Sequence, residues 1–440
     1  MVISIPVSSG KGDAPALSRE KNLRRKNSSI SLVLPEEPKP AIGRRQYRVI
    51  ISVLGALSAI GPFSVDMYLP GFPAIATDLS TDIAHVGLSL TSFFIGISLG
   101  QIAYGPMMDR YGRKKPLMLG LVVYIVAALG CAFSPSVLSL IILRFFLALG
   151  ACVGMTGSRA VVRDLFSGAE TARVLSALVM VFGVSPIIAP TIGGMVVANF
   201  GWRFIFLILA AIGMAVLFAV GRFLRESKGV DTSISFRPGD VIFEYLNLFK
   251  EPSFITYTFA SAAAVAGFFA YISGSAFVYM KLLGFTETQF GWMYGANAVG
   301  FIASSQLNRL WLRRQGSAEI LTRVTAAQSL VMAVLLVWPS GGFVGTIGII
   351  TLVFCYLFLF GFINPNAMAL ALQPFTRNAG SASAMIGSIQ MIAGASASGL
   401  VSCLYDGTAM PMIQVMAGCT GVSLALLGGV AFLMNWRPRR

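Results

Sequence analysis

Apolar runs of about twenty residues recur along this chain from Ile50 almost to its C-terminus, with only short polar clusters between them. A helix that crosses the hydrocarbon core of a bilayer needs roughly 20 mostly apolar residues. Only 12% of the 440 residues are charged, whereas a soluble globular domain has roughly 25%. The sequence therefore predicts an all-α polytopic membrane protein and argues against one extended soluble domain.

Twelve of the apolar runs are long enough to cross a membrane. We predict spans at 48–70, 86–108, 116–134, 137–159, 172–198, 203–223, 254–279, 288–309, 319–338, 344–371, 380–403 and 410–434. The least distinct separations are that of the third span from the fourth, at Ser134-Pro135, and that of the ninth from the tenth, at 339–342. Either could be a kink within one helix instead of a loop.

The longest internal polar stretch divides six spans from six, which is typical of a duplicated fold whose two bundles move around a site at mid-membrane. We therefore predict a cytosolic tail at 1–45, an N-terminal six-helix bundle at 46–224, a cytosolic linker at 225–252, a C-terminal six-helix bundle at 253–435 and a cytosolic tail at 436–440. The first tail is basic and lacks an apolar core that ends in a cleavage site, so we expect a disordered segment and not a signal peptide.

Lysine and arginine are concentrated in alternate connections between the spans, and connections rich in these residues face the cytosol. With the N-terminus inside, the cytosolic side holds 110–115, 222–250 and 309–323, while the opposite side keeps Arg203 and Lys281. The pattern predicts a multi-pass protein of the inner (plasma) membrane with both termini cytosolic. Because the basic residues form separate clusters, the formal charge of +15 does not indicate nucleic-acid binding.

The residues that metal sites and hydrolytic triads require are scarce. The five cysteines lie inside apolar stretches and no two have CxxC spacing, which argues against disulfides and zinc. His85 is the only histidine, so a Ser-His-Asp triad lacks its base. The segment 96–100 matches G-x-S-x-G, but it lies within a predicted span, where glycines four apart fit helix packing better. We expect that the protein is not an enzyme and that it binds neither a metal nor a cofactor.

A polar motif follows the second span. The segment Gly105-Pro-Met-Met-Asp109-Arg110-Tyr-Gly112-Arg113-Lys114-Lys115 resembles the loop signature of the major facilitator superfamily, G-x-x-x-D-R-x-G-R-[RK]-[RK], at every fixed position. Gly112 permits a tight turn, and Asp109 can meet a helix N-terminus or an arginine of span four or eleven. A merely basic stop-transfer loop is the alternative. The resemblance implies a cytosolic gate made of Gly105, Asp109, Arg110, Gly112, Arg113, Arg163 and Asp164. For Arg163 and Asp164, solvated charges at the end of span four are an equal alternative.

The fifth span carries a second motif. The segment Gly183-Val-Ser185-Pro186-Ile-Ile-Ala-Pro190-Thr-Ile-Gly193-Gly194 resembles the antiporter signature of the drug-exporting members of that superfamily. Prolines remove backbone donors and bend a helix, and glycines let another helix approach closely. A plain packing motif is the alternative. The resemblance implies a hinge and a seal against proton leak, formed by Gly183, Pro186, Pro190, Gly193 and Gly194.

Asp66 and Arg144 are the leading functional candidates among the charged residues inside predicted spans. Asp66 begins a segment, 66–73, that is similar to the D-x-Y-L-P-x-x-P sequence of proton-dependent drug exporters, and Arg144 matches their intramembrane arginine. These features place the chain nearest the Bcr/CflA-like multidrug branch. A charge at mid-membrane costs about 2.5 to 3.5 kcal/mol and marks function by default. We predict that Asp66 alternates between protonated and ionised forms, whereas Arg144 holds a carboxylate, a backbone carbonyl or an anionic substrate group. A solvated carboxylate at the outer end of span one is the alternative.

Uncharged residues within the spans could line a substrate cavity, although amides there more often make interhelical hydrogen bonds. Tyr271 and Tyr294 are among several aromatic residues that could add to a greasy cavity. The substrate-cavity candidates that we rank first are Tyr68, Phe94, Asn297, Asn364 and Gln390.

The resulting hypothesis is a secondary transporter, monomeric by family resemblance, that uses the proton gradient to export drug-like or amphipathic small molecules by alternating access. One alternative is proton-coupled uptake of a sugar, a peptide or an organic acid on the same fold. Another, from a different class, is a membrane-embedded enzyme.

Overall fold

The computed structural model describes residues 44–227, 229, 246–337, 343–375 and 379–435. Within these ranges the chain forms twelve long helices, as the hydropathy predicts. They are α1 (Arg44–Asp66), α2 (Ile83–Tyr111), α3 (Lys114–Ala132), α4 (Val137–Leu165), α5 (Gly168–Phe200), α6 (Arg203–Phe223), α7 (Pro252–Ala276), α8 (Glu287–Trp311), α9 (Ser317–Val337), α10 (Phe343–Leu372), α11 (Ala379–Cys403) and α12 (Met410–Asn435). Most of the predicted tails and of the predicted linker lies outside the described residues.

Eleven helical segments in the described ranges are long and apolar enough to span a membrane. The helix α8 is not among them, and along its 25 residues it carries Gln289, Asn297, Gln306 and Asn308. Asn297 and Asn308 are buried inside the protein. Because a buried amide finds its hydrogen-bond partners on other helices, α8 can lie at membrane depth without exposing these two groups to lipid.

The separation of the third span from the fourth is a loop and not a kink. The helix α3 ends at Ala132, and α4 begins at Val137. Ser136 caps α4, since its hydroxyl accepts a hydrogen bond from the backbone N–H of Ser139 at 3.3 Å, which satisfies one of the free donors at a helix start. The second uncertain separation, at 339–342, lies outside the described residues.

The twelve helices pack as two groups that meet along two seams. The first half of the protein consists of α1 to α6, and the second half consists of α7 to α12. In the first group α4 packs against α1, α2 and α3, and α6 packs against α1 and α3. In the second group α7 packs against α10, α11 and α12, while α9 packs against α10 and α12. One seam joins α2 to α11, where the carbonyl of Ser388 accepts a hydrogen bond from Ser98 at 3.2 Å. The other joins α5 to α8.

The first span is broken inside the protein. The helix α1 ends at Asp66, earlier than the predicted limit of 70, and is followed by a 3₁₀ turn at Leu69–Gly71 and a short helix at Phe72–Asp78. Pro70 and Pro73 lie in this segment and cannot donate backbone hydrogen bonds, so they do not extend the helix that precedes them. The break leaves Asp66 at the C-terminal end of α1, in the interior of the protein.

Candidate functional site

The carboxylate of Asp66 is buried, with 4% of the residue exposed. It lies between the two groups of helices, where Oδ1 accepts a hydrogen bond from the hydroxyl of Tyr294 at 3.2 Å. Tyr294 belongs to α8 and is 228 residues away along the chain. In this conformation Asp66 is therefore not the solvated interfacial group of the alternative interpretation, and it connects α1 to the second half.

Polar and aromatic side chains of α7 and α8 surround the Asp66–Tyr294 contact. The rings of Tyr271 and Tyr294 are stacked with their centroids 5.9 Å apart. The amide nitrogen of Asn297 donates to the hydroxyl of Tyr271 at 2.9 Å. The Asn297 side chain is also a partner of the Tyr279 hydroxyl, so its amide lies between two tyrosines. We call Asp66, Tyr271, Tyr294 and Asn297 the carboxylate cluster.

Arg144 is fully buried and supports the end of α1. Its Nη1 donates to the carbonyl of Ser64 at 2.7 Å. The carbon Cζ of its guanidinium lies 4.2 Å from the ring centroid of Tyr68 and 4.5 Å from that of Phe93. A cation is favourable here because the last carbonyls of a helix carry partial negative charge. Arg144 thus holds a backbone carbonyl two residues before Asp66, and the two charged side chains are not paired with each other in this conformation.

The aromatic candidates for the cavity occupy different positions. Tyr68 is buried in the first half, where its hydroxyl lies 2.8 Å from that of Ser89 and its ring packs on Phe72. Phe94 of α2 instead contacts the second half, with its ring centroid 4.1 Å from that of Phe269 on α7. Phe94 therefore lies where the two halves face each other, and Tyr68 is a packing residue in this conformation.

The remaining two amide candidates lie together in the second half. The amide nitrogen of Gln390 on α11 is 3.1 Å from the side-chain oxygen of Asn364 on α10 and 3.1 Å from the hydroxyl of Ser261 on α7, and donates to both. These contacts join three helices, which is the interhelical role that buried amides commonly have. The structure thus brings Asn364 and Gln390 together and places Asn297 in the separate carboxylate cluster.

The motif after α2 forms an ion-pair network around Arg113. Its guanidinium donates to Asp109 at 2.9 Å and to Asp164 of α4 at 2.7 Å. Burial acts against the charged form of Arg113, but the two carboxylates outweigh it, and the pKa of the guanidinium lies above its ordinary value. Gly112 has a φ of 84°, in the left-handed region that favours glycine. The motif therefore does more than supply positive charge, because it fixes α2, α3 and α4 to one another.

Two partners of this network were not among the sequence candidates. The carboxylate of Glu226 accepts hydrogen bonds from the backbone N–H groups of Arg113 at 2.6 Å and Lys114 at 3.1 Å, at the start of α3. The hydroxyl of Ser227 donates to Asp164 at 3.1 Å. Glu226 lies shortly after the predicted span 203–223, and an acidic residue at such a position is only a weak signal of a capping role. The sequence alone does not show which helix start it caps.

The other gate candidates have fewer described contacts. The guanidinium carbon of Arg110 lies 5.7 Å from the ring centroid of Tyr111. A Cβ added to Gly380, at the start of α11, would lie 3.2 Å from Nη1 of Arg163, so Arg163 of the first half reaches the second half. Gly105 has open space around its Cβ position, and nothing in the structure explains a requirement for glycine there.

We expect the Arg113→Gln variant to be destabilised by about 2 kcal/mol, because it leaves Asp109 and Asp164 without their shared partner. Thermal unfolding of the purified protein in detergent measures this effect. The matched control is Arg323→Gln, which removes an exposed pair with Glu319 at 2.7 Å and should change stability by less than about 0.5 kcal/mol. Equal stability of the two variants would contradict a structural role for Arg113.

Two glycines of the α5 motif, Gly193 and Gly194, lie at close helix contacts. A Cβ at Gly193 would overlap the backbone of Met67, directly after Asp66, and a Cβ at Gly194 would overlap the backbone of Glu287 at the start of α8. At Gly183 the nearest atom would be Ile302 at 3.7 Å, an ordinary contact. The helix α5 is one continuous element through Pro186 and Pro190. The second half of the motif therefore packs against both the broken end of α1 and α8.

Twelve long helices in two groups, with a buried carboxylate joining them at a broken helix, define a multi-pass α-helical membrane transporter. Residues 54–398 match the Major Facilitator Superfamily. The chain belongs to this superfamily.

Several known proteins are similar to this chain over most of its length. An uncharacterized MFS-type transporter, YdgK, of Bacillus subtilis is 31% identical over 86% of this chain and 93% of its own length. The bicyclomycin resistance protein homolog of Haemophilus influenzae is 32% identical over 86% of this chain and 94% of its own. The multidrug resistance protein MdtL of Escherichia coli is 28% identical over the same shares.

Solved structures of transporters share the fold at low sequence identity. The nucleoside transporter NupG has a TM-score of 0.69 and 14% identity, covering 88% of this chain and 100% of its own. The peptide transporter POT has a TM-score of 0.68 and 14% identity, covering 90% and 96%. These similarities concern the arrangement of helices and not the substrate.

Proposed function

We propose that this protein exports drug-like or amphipathic small molecules in exchange for protons, by alternating access. The relatives named for bicyclomycin resistance and multidrug resistance support the export of such compounds. The proposal includes a bacterial inner membrane, both termini in the cytosol, a monomer as the working unit and the proton gradient as the energy source without a cofactor. The distribution of lysine and arginine along the sequence supports the orientation.

The observation that carries the proposal is the hydrogen bond from Tyr294 to Asp66 between the two halves. An ionised carboxylate is an acceptor at both oxygens, whereas a protonated one has a hydroxyl that donates. A proton on Asp66 therefore changes the contact between α1 and α8. Since α1 and α8 belong to different halves, the protonation of one side chain can bias the movement of one half against the other.

Arg144 has a supporting role in this proposal. By donating to the carbonyl of Ser64, it holds the last turn of α1, so that Asp66 keeps its position at the helix end. Its Nε and Nη2 have no hydrogen-bond partner within the described residues. These two donors can receive Asp66 or an anionic group when the halves rearrange, because a guanidinium binds carboxylates in a planar, two-point arrangement.

The substrate is proposed to bind between the halves, beside the carboxylate cluster. Asn297 places an amide there, and Phe94 and Phe269 contribute apolar aromatic side chains from both halves. A pocket with mostly apolar walls and few polar groups accepts many amphipathic compounds of moderate size. Competition between substrate and proton for this region would couple their movements in opposite directions.

Transport measurements in everted membrane vesicles test the proposal. Respiration acidifies the lumen of such vesicles, and addition of a transported compound should release part of the pH gradient, because the compound enters as protons leave. A panel of neutral and cationic antibiotics and dyes is the probe, and vesicles without the protein are the control. A protein that instead accumulates a sugar, a peptide or an organic acid in right-side-out vesicles would be an uptake transporter, and the export proposal would be wrong.

The Tyr294→Phe variant should transport roughly 10- to 150-fold more slowly under a pH gradient, because a hydrogen bond to a charged group contributes about 1.5 to 3 kcal/mol. The ring is kept, so the stacking with Tyr271 and the fold should be unaffected. The control is Tyr257→Phe on α7, whose ring packs at a separate apolar cluster with Leu248 and Phe254. A native transport rate in the Tyr294→Phe variant would show that the hydroxyl of Tyr294 has no role in the mechanism.

A further inference from the structure

The last turn of α8 and the connection to α9 carry three exposed arginines, Arg309, Arg313 and Arg314. We refer to residues 309–314 as the turn between α8 and α9. Within the described residues, no carboxylate forms an ion pair with any of them. Arg323 lies near them in sequence, but Glu319 neutralises it at 2.7 Å. The turn thus presents a concentrated positive charge that the described part of the protein does not balance.

The corresponding turn in the first half is balanced internally. There Arg113 donates to Asp109 and to Asp164. In the second half Asn308 stands before Arg309, as Asp109 stands before Arg110. Asn308 is buried and accepts a hydrogen bond from Asn366 at 2.8 Å, so it offers no negative charge to the arginines. The two turns share a basic pattern, but within the described residues only the first one has carboxylates paired with one of its arginines.

Three apolar side chains lie between Arg309 and Arg313 in the sequence. Leu310, Trp311 and Leu312 have 53%, 49% and 41% of their surface exposed. The ring of Trp311 is anchored on Phe362 of α10, with their centroids 5.1 Å apart. Tryptophan that is half-exposed beside arginine is typical of the boundary between hydrocarbon and headgroups. The turn therefore lies where lipid headgroups meet the protein.

The backbone of the turn holds the arginines in place. The N–H of Arg314 donates to the carbonyl of Trp311 at 2.9 Å, and that of Arg313 donates to Leu310 at 3.3 Å. These bonds continue the last turn of α8, so the two consecutive guanidinium groups start from an ordered backbone. Guanidinium groups bind phosphate oxygens through paired N–H donors.

We propose that the turn between α8 and α9 is a binding site for the headgroup of an anionic phospholipid. Arg313 and Arg314 hold the phosphate, Arg309 adds to the positive potential, and the acyl chains lie along Leu310 and Trp311. The anionic headgroup supplies a counter-charge to these arginines. The site does not depend on the substrate or on proton coupling, so its failure leaves the proposed function untouched.

Titration of the delipidated, detergent-solubilised protein with phosphatidylglycerol tests this proposal, with bound lipid counted by native mass spectrometry and thermal stability followed in parallel. The double variant Arg313→Gln/Arg314→Gln should bind phosphatidylglycerol roughly 30-fold more weakly, since each arginine near an anionic surface contributes about a factor of five. The variant Arg313→Lys/Arg314→Lys keeps both charges but loses the paired N–H donors, so its affinity should lie between those of the native protein and the glutamine variant. Arg323→Gln, which removes a neutralised arginine, should bind like the native protein.

Three results would overturn the proposal. One is native affinity for phosphatidylglycerol in the double glutamine variant, and another is equal binding of zwitterionic phosphatidylcholine by the native protein. The third is an equal rise in stability with inorganic phosphate at the same concentration, which would identify a site for free anions in place of a lipid.

Discussion

The Asp66→Asn variant should lose all transport driven by an imposed pH gradient, down to the level of liposomes without protein. Asparagine has nearly the same shape as aspartate and can still accept a hydrogen bond from Tyr294, but it cannot carry a proton. The exchange of labelled for unlabelled substrate across the membrane needs no net proton movement, so this exchange should continue. The measurement compares both activities of the same proteoliposomes.

The control for this substitution is Asp406→Asn. Asp406 lies in the connection between α11 and α12 and is exposed, and its carboxylate accepts hydrogen bonds from Thr408 at 2.7 and 2.9 Å. Loss of this exposed carboxylate should leave both activities near the native level. Transport under a pH gradient that survives in Asp66→Asn would exclude Asp66 as the proton carrier.

The Gly194→Ala variant should shift the protein away from the conformation described here. A methyl group at this position would overlap the backbone of Glu287 on α8, and neither backbone can yield without moving a helix. Overpacking of this kind costs about 1 to 3 kcal/mol, which changes a conformational equilibrium by roughly 5- to 150-fold. Because transport requires both end states of the cycle, turnover should fall by a similar factor.

The control is Gly183→Ala in the same motif, where the added methyl group would contact Ile302 at 3.7 Å. This variant should transport at close to the native rate. Labelling of single cysteines along the α5–α8 seam would report the conformational shift, with higher reactivity expected in Gly194→Ala alone. Equal turnover and equal labelling in the two variants would show that the close approach of α5 and α8 is not required.

The fold was predictable because hydropathy is a strong local signal. Helices of about twenty apolar residues are required by the bilayer itself, and Ser136 marks the start of α4 by a recognised capping pattern. The predicted first span, 48–70, lies within the segment long and apolar enough to cross a membrane, but the sequence did not predict that its helix ends at Asp66. Pro70 and Pro73 were present as signals, but the surrounding apolar residues hid the break, since hydropathy does not distinguish a helix from a buried 3₁₀ turn.

The sequence predicts individual residues of the site but not the contacts between them. A charge in an apolar span identifies Asp66 and Arg144 without further knowledge, because such a charge is costly. Their partners were not predictable, since Tyr294 is 228 residues from Asp66 and the contact depends on how the two halves pack. The same reason explains why Asn297 and Gln390 could not be assigned to different clusters from the sequence.

The most direct test of the proton-coupling mechanism is the release of protons when substrate binds to the detergent-solubilised protein. A weakly buffered solution with a pH indicator, at a pH where Asp66 is protonated in the native protein, measures this release as a transported compound is added. The native protein should release protons in proportion to bound substrate, whereas Asp66→Asn should bind the same compound and release none. Equal proton release from the two proteins would contradict the assignment of Asp66 as the group that exchanges its proton for substrate.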